Sequence, residues 1–167
     1  MTIRFGIITL SDRSSRGERD DASGPALASF LEAEGCLVLK RLILPDDESA
    51  LRLTLTEWAD DGGLDIILTT GSTGFAPRDI APEATKAVIQ KEAPGLAEVM
   101  RAESLKKTPH AMLSRAAAGI RARTLIVNLP GSPKGALEGL QVVADVLEHA
   151  VQLLREDPDS EKGHRAK

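Results

Sequence analysis

Residues 64–74 read LDIILTTGSTG, an apolar run that ends in a glycine- and hydroxyl-rich loop. Leu64 to Thr69 carries Ile and Leu on both faces of an extended chain, the pattern of a strand covered on both sides rather than a half-solvated one. Three other runs share this form. Ile3 to Leu10 stops at Ser11-Asp12-Arg13, Leu37 to Leu44 stops at Pro45-Asp46-Asp47, and Thr124 to Leu129 opens into Pro130-Gly131-Ser132. Between them lie segments with apolar residues three and four apart. Residues 11–24, rich in Ser, Asp, Arg and Gly, read as a long loop, and the first such segment follows from Pro25 and ends at Gly35. Another starts at the capping residue Asp47 and carries Leu51, Leu55 and Trp58. A short one is led by Pro82, and one follows Pro94-Gly95. The last is a long helix with Leu140, Val143, Leu147, Val151 and Leu154 on one stripe. Strands alternating with helices predict an α/β fold: a three-layer α/β/α sandwich around a mostly parallel sheet, in a single domain. Residues 1–155 make up that domain, and the charged, aperiodic segment 156–167 reads as a flexible tail.

The composition narrows the chemistry. The 167 residues carry 21 basic and 25 acidic side chains, for a formal charge of −4, and only three Phe, one Trp and no Tyr. A mildly acidic chain so poor in aromatics is ill suited to stacking bases or following a phosphate backbone, which argues against nucleic acid as a partner. The single cysteine, Cys36, allows no internal disulfide, and the three histidines lack metal-ligand spacing. The N-terminal apolar run is too short for a signal peptide and no stretch is long enough to span a bilayer, so the reading is a soluble, cytoplasmic domain without membrane contact.

In a parallel sheet covered on both faces, ligands bind beyond the carboxyl ends of the strands. Each of those ends is polar or glycine-rich here. TTGSTG (Thr69 to Gly74) offers backbone N–H groups at Gly71 and Gly74 and hydroxyls at Thr70, Ser72 and Thr73; it reads either as an anion cradle or as a tight turn. NLPGSPKG (Asn128 to Gly135) sets Lys134 near the start of the longest helix, where a phosphate finds donors, dipole and ammonium together; the alternative is a proline-stiffened connection with a solvated lysine. Asp46 and Asp79 fall at the same edge, where two carboxylates suit magnesium shared with substrate oxygens; taken singly, Asp46 reads as a turn or cap residue and Asp79 as an ion pair with Arg78. Ser114-Arg115 adds a hydroxyl and a guanidinium. No Ser-His-Asp or Cys-His arrangement can be assembled.

The ordered set GIITLSDR (6–13), Asp21/Gly24, LPD (44–46), TTGSTGFAPRD (69–79), LSR (113–115) and NLPGSPK (128–134) resembles the molybdenum cofactor biosynthesis domain family, in its molybdopterin adenylyltransferase group of MogA and MoaB type. The resemblance covers roughly residues 3 to 155. It implies an α/β/α fold assembled as a homotrimer, and adenylyl transfer from ATP to the terminal phosphate of molybdopterin with Mg2+, giving adenylylated molybdopterin and pyrophosphate for a later molybdate-inserting enzyme. It places the essential aspartates at Asp46 and Asp79. Pterin-phosphate contacts fall on Thr70, Gly71, Ser72, Thr73 and Gly74, on Ser114 and Arg115, and on Asn128, Pro130, Gly131, Ser132 and Lys134; the nucleotide side falls on Ser11 and Asp12. Two alternatives share the fold: a binding-only carrier of molybdopterin and a nucleotide pyrophosphatase. The family loop often reads Thr-Thr-Gly-Gly-Thr-Gly, so Ser72 is a departure: it adds a hydroxyl where positive φ would favour glycine.

Overall fold

A computed structural model describes residues 1–158 and 160. In chain order the elements are β1 (Arg4–Leu10), α1 (Asp12–Ser15), α2 (Ser23–Ala33), β2 (Leu37–Leu44), α3 (Glu48–Asp60), β3 (Ile66–Thr70), α4 (Ala81–Val88), β4 (Lys91–Glu92), α5 (Pro94–Leu105), a 3-10 turn (Pro109–Leu113), β5 (Ala118–Arg121), β6 (Thr124–Leu129) and α6 (Pro133–Leu154). They build one six-stranded sheet in the order β2-β1-β3-β6-β5-β4. β2, β1, β3 and β6 run parallel, while β5 pairs antiparallel with β6 and β4 with β5.

Each face of the sheet carries a helical layer. Phe5, Ile7, Leu68 and Val127 face Leu27 and Leu31 of α2, Met100 of α5, and Leu140, Val143 and Leu147 of α6. On the opposite face Ile8, Ile67 and Ile126 meet Leu51 and Leu55 of α3 and Ala84 and Val88 of α4. The three-layer architecture expected from the sequence is therefore present, and burying these side chains against two helical layers is its main source of stability.

Three expectations are corrected. The segment 11–24 is not an open loop: Ser11 accepts a hydrogen bond from Ser14 N–H and caps α1, and α2 begins at Ser23 rather than Pro25. The N-cap residue is Ala22, and Asp21 just before it satisfies the helix's first N–H groups, its Oδ1 accepting from Ser23 and Gly24. Second, β2 is not covered on both faces; as an edge strand it leaves Leu37 49% and Leu39 52% exposed. Third, the antiparallel pair β4–β5 has no counterpart among the expected strands. At two and four residues these strands are too short to show periodicity, and Gly119 is required because a Cβ there would meet the Lys91 carbonyl oxygen at 2.7 Å. The tail expected over 156–167 lies mostly outside the described residues.

β1 and β3 mark the point where the chain stops adding strands on one side and starts on the other. That reversal opens a crevice at the carboxyl ends of these two strands.

Candidate functional site

A cleft of about 730 Å³ fills that crevice. Its floor is backbone. Gly71, at φ 98°, lies so close to β1 that a Cβ would sit 2.5 Å from the Leu10 carbonyl oxygen, and a Cβ on Gly131 would come within 3.1 Å of Gly71 Cα. Hydrogen bonds fix the loops relative to one another. Gly71 N–H donates to the Leu129 carbonyl at 3.2 Å, Thr70 Oγ1 to the Pro130 carbonyl at 2.6 Å, and Ser23 Oγ to the Gly131 carbonyl at 2.8 Å. Three chain segments are thereby joined around one concavity.

Asp46 and Asp79 both line this cleft, together with Ser11, Asp12 and Ser72. Asp46 is not the cap of α3, a role Asp47 takes by accepting from Ala50 N–H. Instead Asp46 and Asp12 clasp each other: Asp46 N–H donates to Asp12 Oδ1 at 2.9 Å, and Asp12 N–H to Asp46 Oδ2 at 3.3 Å. Asp79 makes no ion pair with Arg78 among the described residues; its Oδ2 accepts from Ala76 N–H at 2.9 Å. Among the described residues, Asp46 and Asp79 thus each keep one carboxylate oxygen free of protein donors.

Such hard oxygens fit a magnesium ion whose remaining ligands are phosphate oxygens and water. Among the described residues no group of three or more His, Cys, Asp or Glu is arranged to hold a metal by itself.

Ser72 takes φ 58° and is buried. Its hydroxyl accepts from Ile80 N–H at 2.8 Å and donates to the Arg78 carbonyl at 3.3 Å, while its own carbonyl accepts from Ala81 N–H. The hydroxyl therefore binds the loop to the start of α4 instead of facing a ligand.

A second cleft of about 310 Å³ adjoins the first and is lined by Thr73, Gly74, Ser114, Pro130 and Ser132. Ser132, which caps α6 by accepting from Gly135 N–H at 3.1 Å, lines both. Met100 and Arg101 of α5 and His110 of the 3-10 turn also line the second cleft; the sequence marked α5 only as a packing helix, and Pro109–Leu113 shows no periodicity that would place His110. Arg13 and Asp21 stood in the family motifs but were given no site role, and Arg19 was missed, although all three line the first cleft.

Four expected contact residues line neither cleft. Asn128 is fully buried, donating to Thr69 Oγ1 at 2.9 Å and Thr85 Oγ1 at 2.8 Å while its Oδ1 accepts from Ala117 N–H. Thr70 is likewise buried beneath the loop. Arg115 grips the 74–79 loop from behind: Nε donates to the Gly74 carbonyl at 2.7 Å, Nη2 to the Asp79 carbonyl at 2.9 Å, and Nη1 bonds Glu83. Burial pushes the Glu83 carboxyl upward, but the hydrogen bond from Arg115, the backbone hydrogen bond at Glu83 and the charges of Arg115 and Lys86 together outweigh it and hold the group below the usual glutamate range. Lys134 stands exposed on the first turn of α6.

Residues 6–149 match the family described as "Probable molybdopterin binding domain". The chain is 43% identical over 155 residues to the molybdopterin adenylyltransferase of Helicobacter pylori strain J99, covering 92% of this chain and 88% of that one. It is 42% identical to the molybdenum cofactor synthesis protein cinnamon of Drosophila melanogaster over 93% of its own length, but spans only 26% of that longer protein. Among solved structures, the molybdopterin biosynthesis enzyme MoaB of Thermus thermophilus superposes with a TM-score of 0.88 at 50% identity, covering 94% of this chain and 99% of that one. Fold, ordered motifs and these likenesses agree: the chain belongs to the molybdopterin-binding family of molybdenum cofactor biosynthesis, beside relatives that are molybdopterin adenylyltransferases.

Proposed function

We propose that this protein transfers the adenylyl group of ATP to the terminal phosphate of molybdopterin, giving adenylylated molybdopterin and pyrophosphate. The observation that carries the reading is the pair of adjoining clefts with Ser132 common to both. Two anionic substrates, one in each, meet at that residue. The first cleft takes the nucleotide, with Ser11, Asp12, Gly71 and Gly131 against it; the second takes the pterin, with Thr73, Gly74, Ser114, Pro130 and Ser132 on its phosphate side. Lys134 contributes positive potential from the rim, and Thr70, Asn128 and Arg115 hold the loops in register.

The attacking group is a phosphate oxygen that is already anionic at neutral pH, so the site needs no histidine base. Catalysis falls to positioning and charge stabilisation. Glycine backbone lets the loops approach the phosphates closely, and the buried hydrogen bonds behind the loops keep them oriented; the Gly71 N–H, taken by the Leu129 carbonyl, anchors its loop instead of donating to a phosphate. Asp46 and Asp79 would hold Mg2+, which when bound supplies charge neutralisation at the phosphates. A cytoplasmic homotrimer that passes its product to a molybdate-inserting enzyme belongs to the same proposal. The exposed apolar residues of β2, Leu37 and Leu39 among them, support burial against further copies, and among the described residues no helix is long and apolar enough to cross a membrane.

The test separates binding from chemistry. Asp79→Asn keeps an oxygen able to accept from Ala76 N–H, so the fold and molybdopterin affinity are expected to persist while adenylyl transfer falls by about a hundredfold or more. Asp46→Asn is expected to do the same. Full turnover in both variants contradicts the assignment.

A further inference from the structure

We propose that Arg13 and Arg19 hold the β- and γ-phosphates of the nucleotide and stabilise the departing pyrophosphate, an inference that rests on the nucleotide reading of the first cleft. The chain between β1 and α2 brings Arg13, Arg16 and Arg19 to one wall of that cleft. They differ in what they already hold. Arg16 is clamped to Glu18 through Nε at 2.7 Å and Nη2 at 3.1 Å. The Arg13 guanidinium has no hydrogen bond or ion pair among the described residues, and Arg19 has only a long 3.5 Å contact from Nη2 to Ser11 Oγ.

Two nearby carboxylates are engaged elsewhere, while a third, Asp20, lines the same cleft. Asp21 accepts from Thr9 Oγ1 and from the first N–H groups of α2, and Asp12 from Asp46 N–H. Neither guanidinium is held in an ion pair among the described residues, although Arg13 acts on the Glu18 carboxylate through its charge, and both line a concavity whose floor is glycine backbone. Their planar forks match phosphate oxygens. Arg78 lines the cleft as well, beside Asp79 on the TTGSTG side, where the transferred phosphorus would lie.

The reaction gives this placement a role. An oxygen of the pterin phosphate bonds to the α-phosphorus, and the bond from that phosphorus to the α,β-bridging oxygen breaks, its electron pair leaving with pyrophosphate. No proton moves and total charge is conserved. Negative charge grows on the leaving group, where the anionic Asp46 and Asp79 cannot stabilise it and two arginines can.

Calorimetric titration of the whole protein with inorganic pyrophosphate, and separately with AMP, tests the assignment. In the double variant Arg13→Ala/Arg19→Ala, pyrophosphate affinity is expected to fall at least about tenfold while AMP affinity stays within about twofold. Arg16→Ala, whose guanidinium is taken by Glu18, is expected to leave pyrophosphate affinity unchanged and controls for general loss of positive charge. Thermal melting confirms folding of each exposed-site variant. Unchanged pyrophosphate affinity in the double variant, a parallel loss of AMP, or no pyrophosphate binding by the wild type overturns the inference. If the wild type adenylylates molybdopterin under any of those outcomes, the inference alone fails. If it binds neither AMP nor ATP, the nucleotide reading fails and takes the inference with it.

Discussion

Ser72 shows how one side chain sets a loop. A left-handed backbone costs an L-residue about 1–2 kcal/mol, and Ser72 offsets this with two hydrogen bonds that tie TTGSTG to α4. Ser72→Ala keeps the strain and loses the bonds, and is expected to lower stability by about 1–2 kcal/mol in urea unfolding. Ser72→Gly loses the same bonds but relieves the strain, and is expected to lie within about 1 kcal/mol of the wild type. A glycine variant less stable than the alanine variant contradicts this account. Much at this scale was legible. The carboxylates at 46 and 79 reach one cleft because the strand ends that carry them share one edge. Asn128 and Arg115 were legible as important but not as supports, because burial depends on what packs over a residue, and neither Thr85 nor Glu83 is near them in sequence.

Elements are joined by a buried carboxylate that no motif signalled. Asp65, just before β3, accepts hydrogen bonds from Arg4 N–H, from the Arg4 guanidinium and from Arg155 just after α6. Burial pushes its carboxyl upward, but the bonds from Arg4 and Arg155 outweigh that and hold it below the usual aspartate range. A folded-state value below the unfolded one of about 3.9 means this stabilisation is complete above roughly pH 4 and is lost as pH falls through the folded value. Asp65→Asn is expected to reduce stability at pH 7 by about 1–3 kcal/mol and to flatten the decline below pH 4, measured by urea unfolding across pH. An acid limb as steep as the wild type's contradicts the latch. The parallel strands and α6 were legible because their burial matches their periodicity. β4 and β5 were not, because only pairing with a neighbour makes such short segments strands.

At the scale of the molecule, the strand order turns motifs scattered over more than a hundred residues into one edge. The sequence order of the motifs carried the family, and the topology explains why that order works: the reversal between β1 and β3 opens the first cleft, and the loop after β6 closes it and opens the second. The split into two clefts meeting at Ser132 was not legible, since the second depends on α5 and the 3-10 turn folding back over the loops. In the proposed reaction the two substrates meet across that junction. Incubating the protein with molybdopterin, ATP and magnesium, and measuring pyrophosphate and adenylylated pterin against pterin-free controls, tests it directly. Both products are expected to form in equal amounts and only when pterin is present. Tight pterin binding without either product, or pyrophosphate release that ignores pterin, contradicts it.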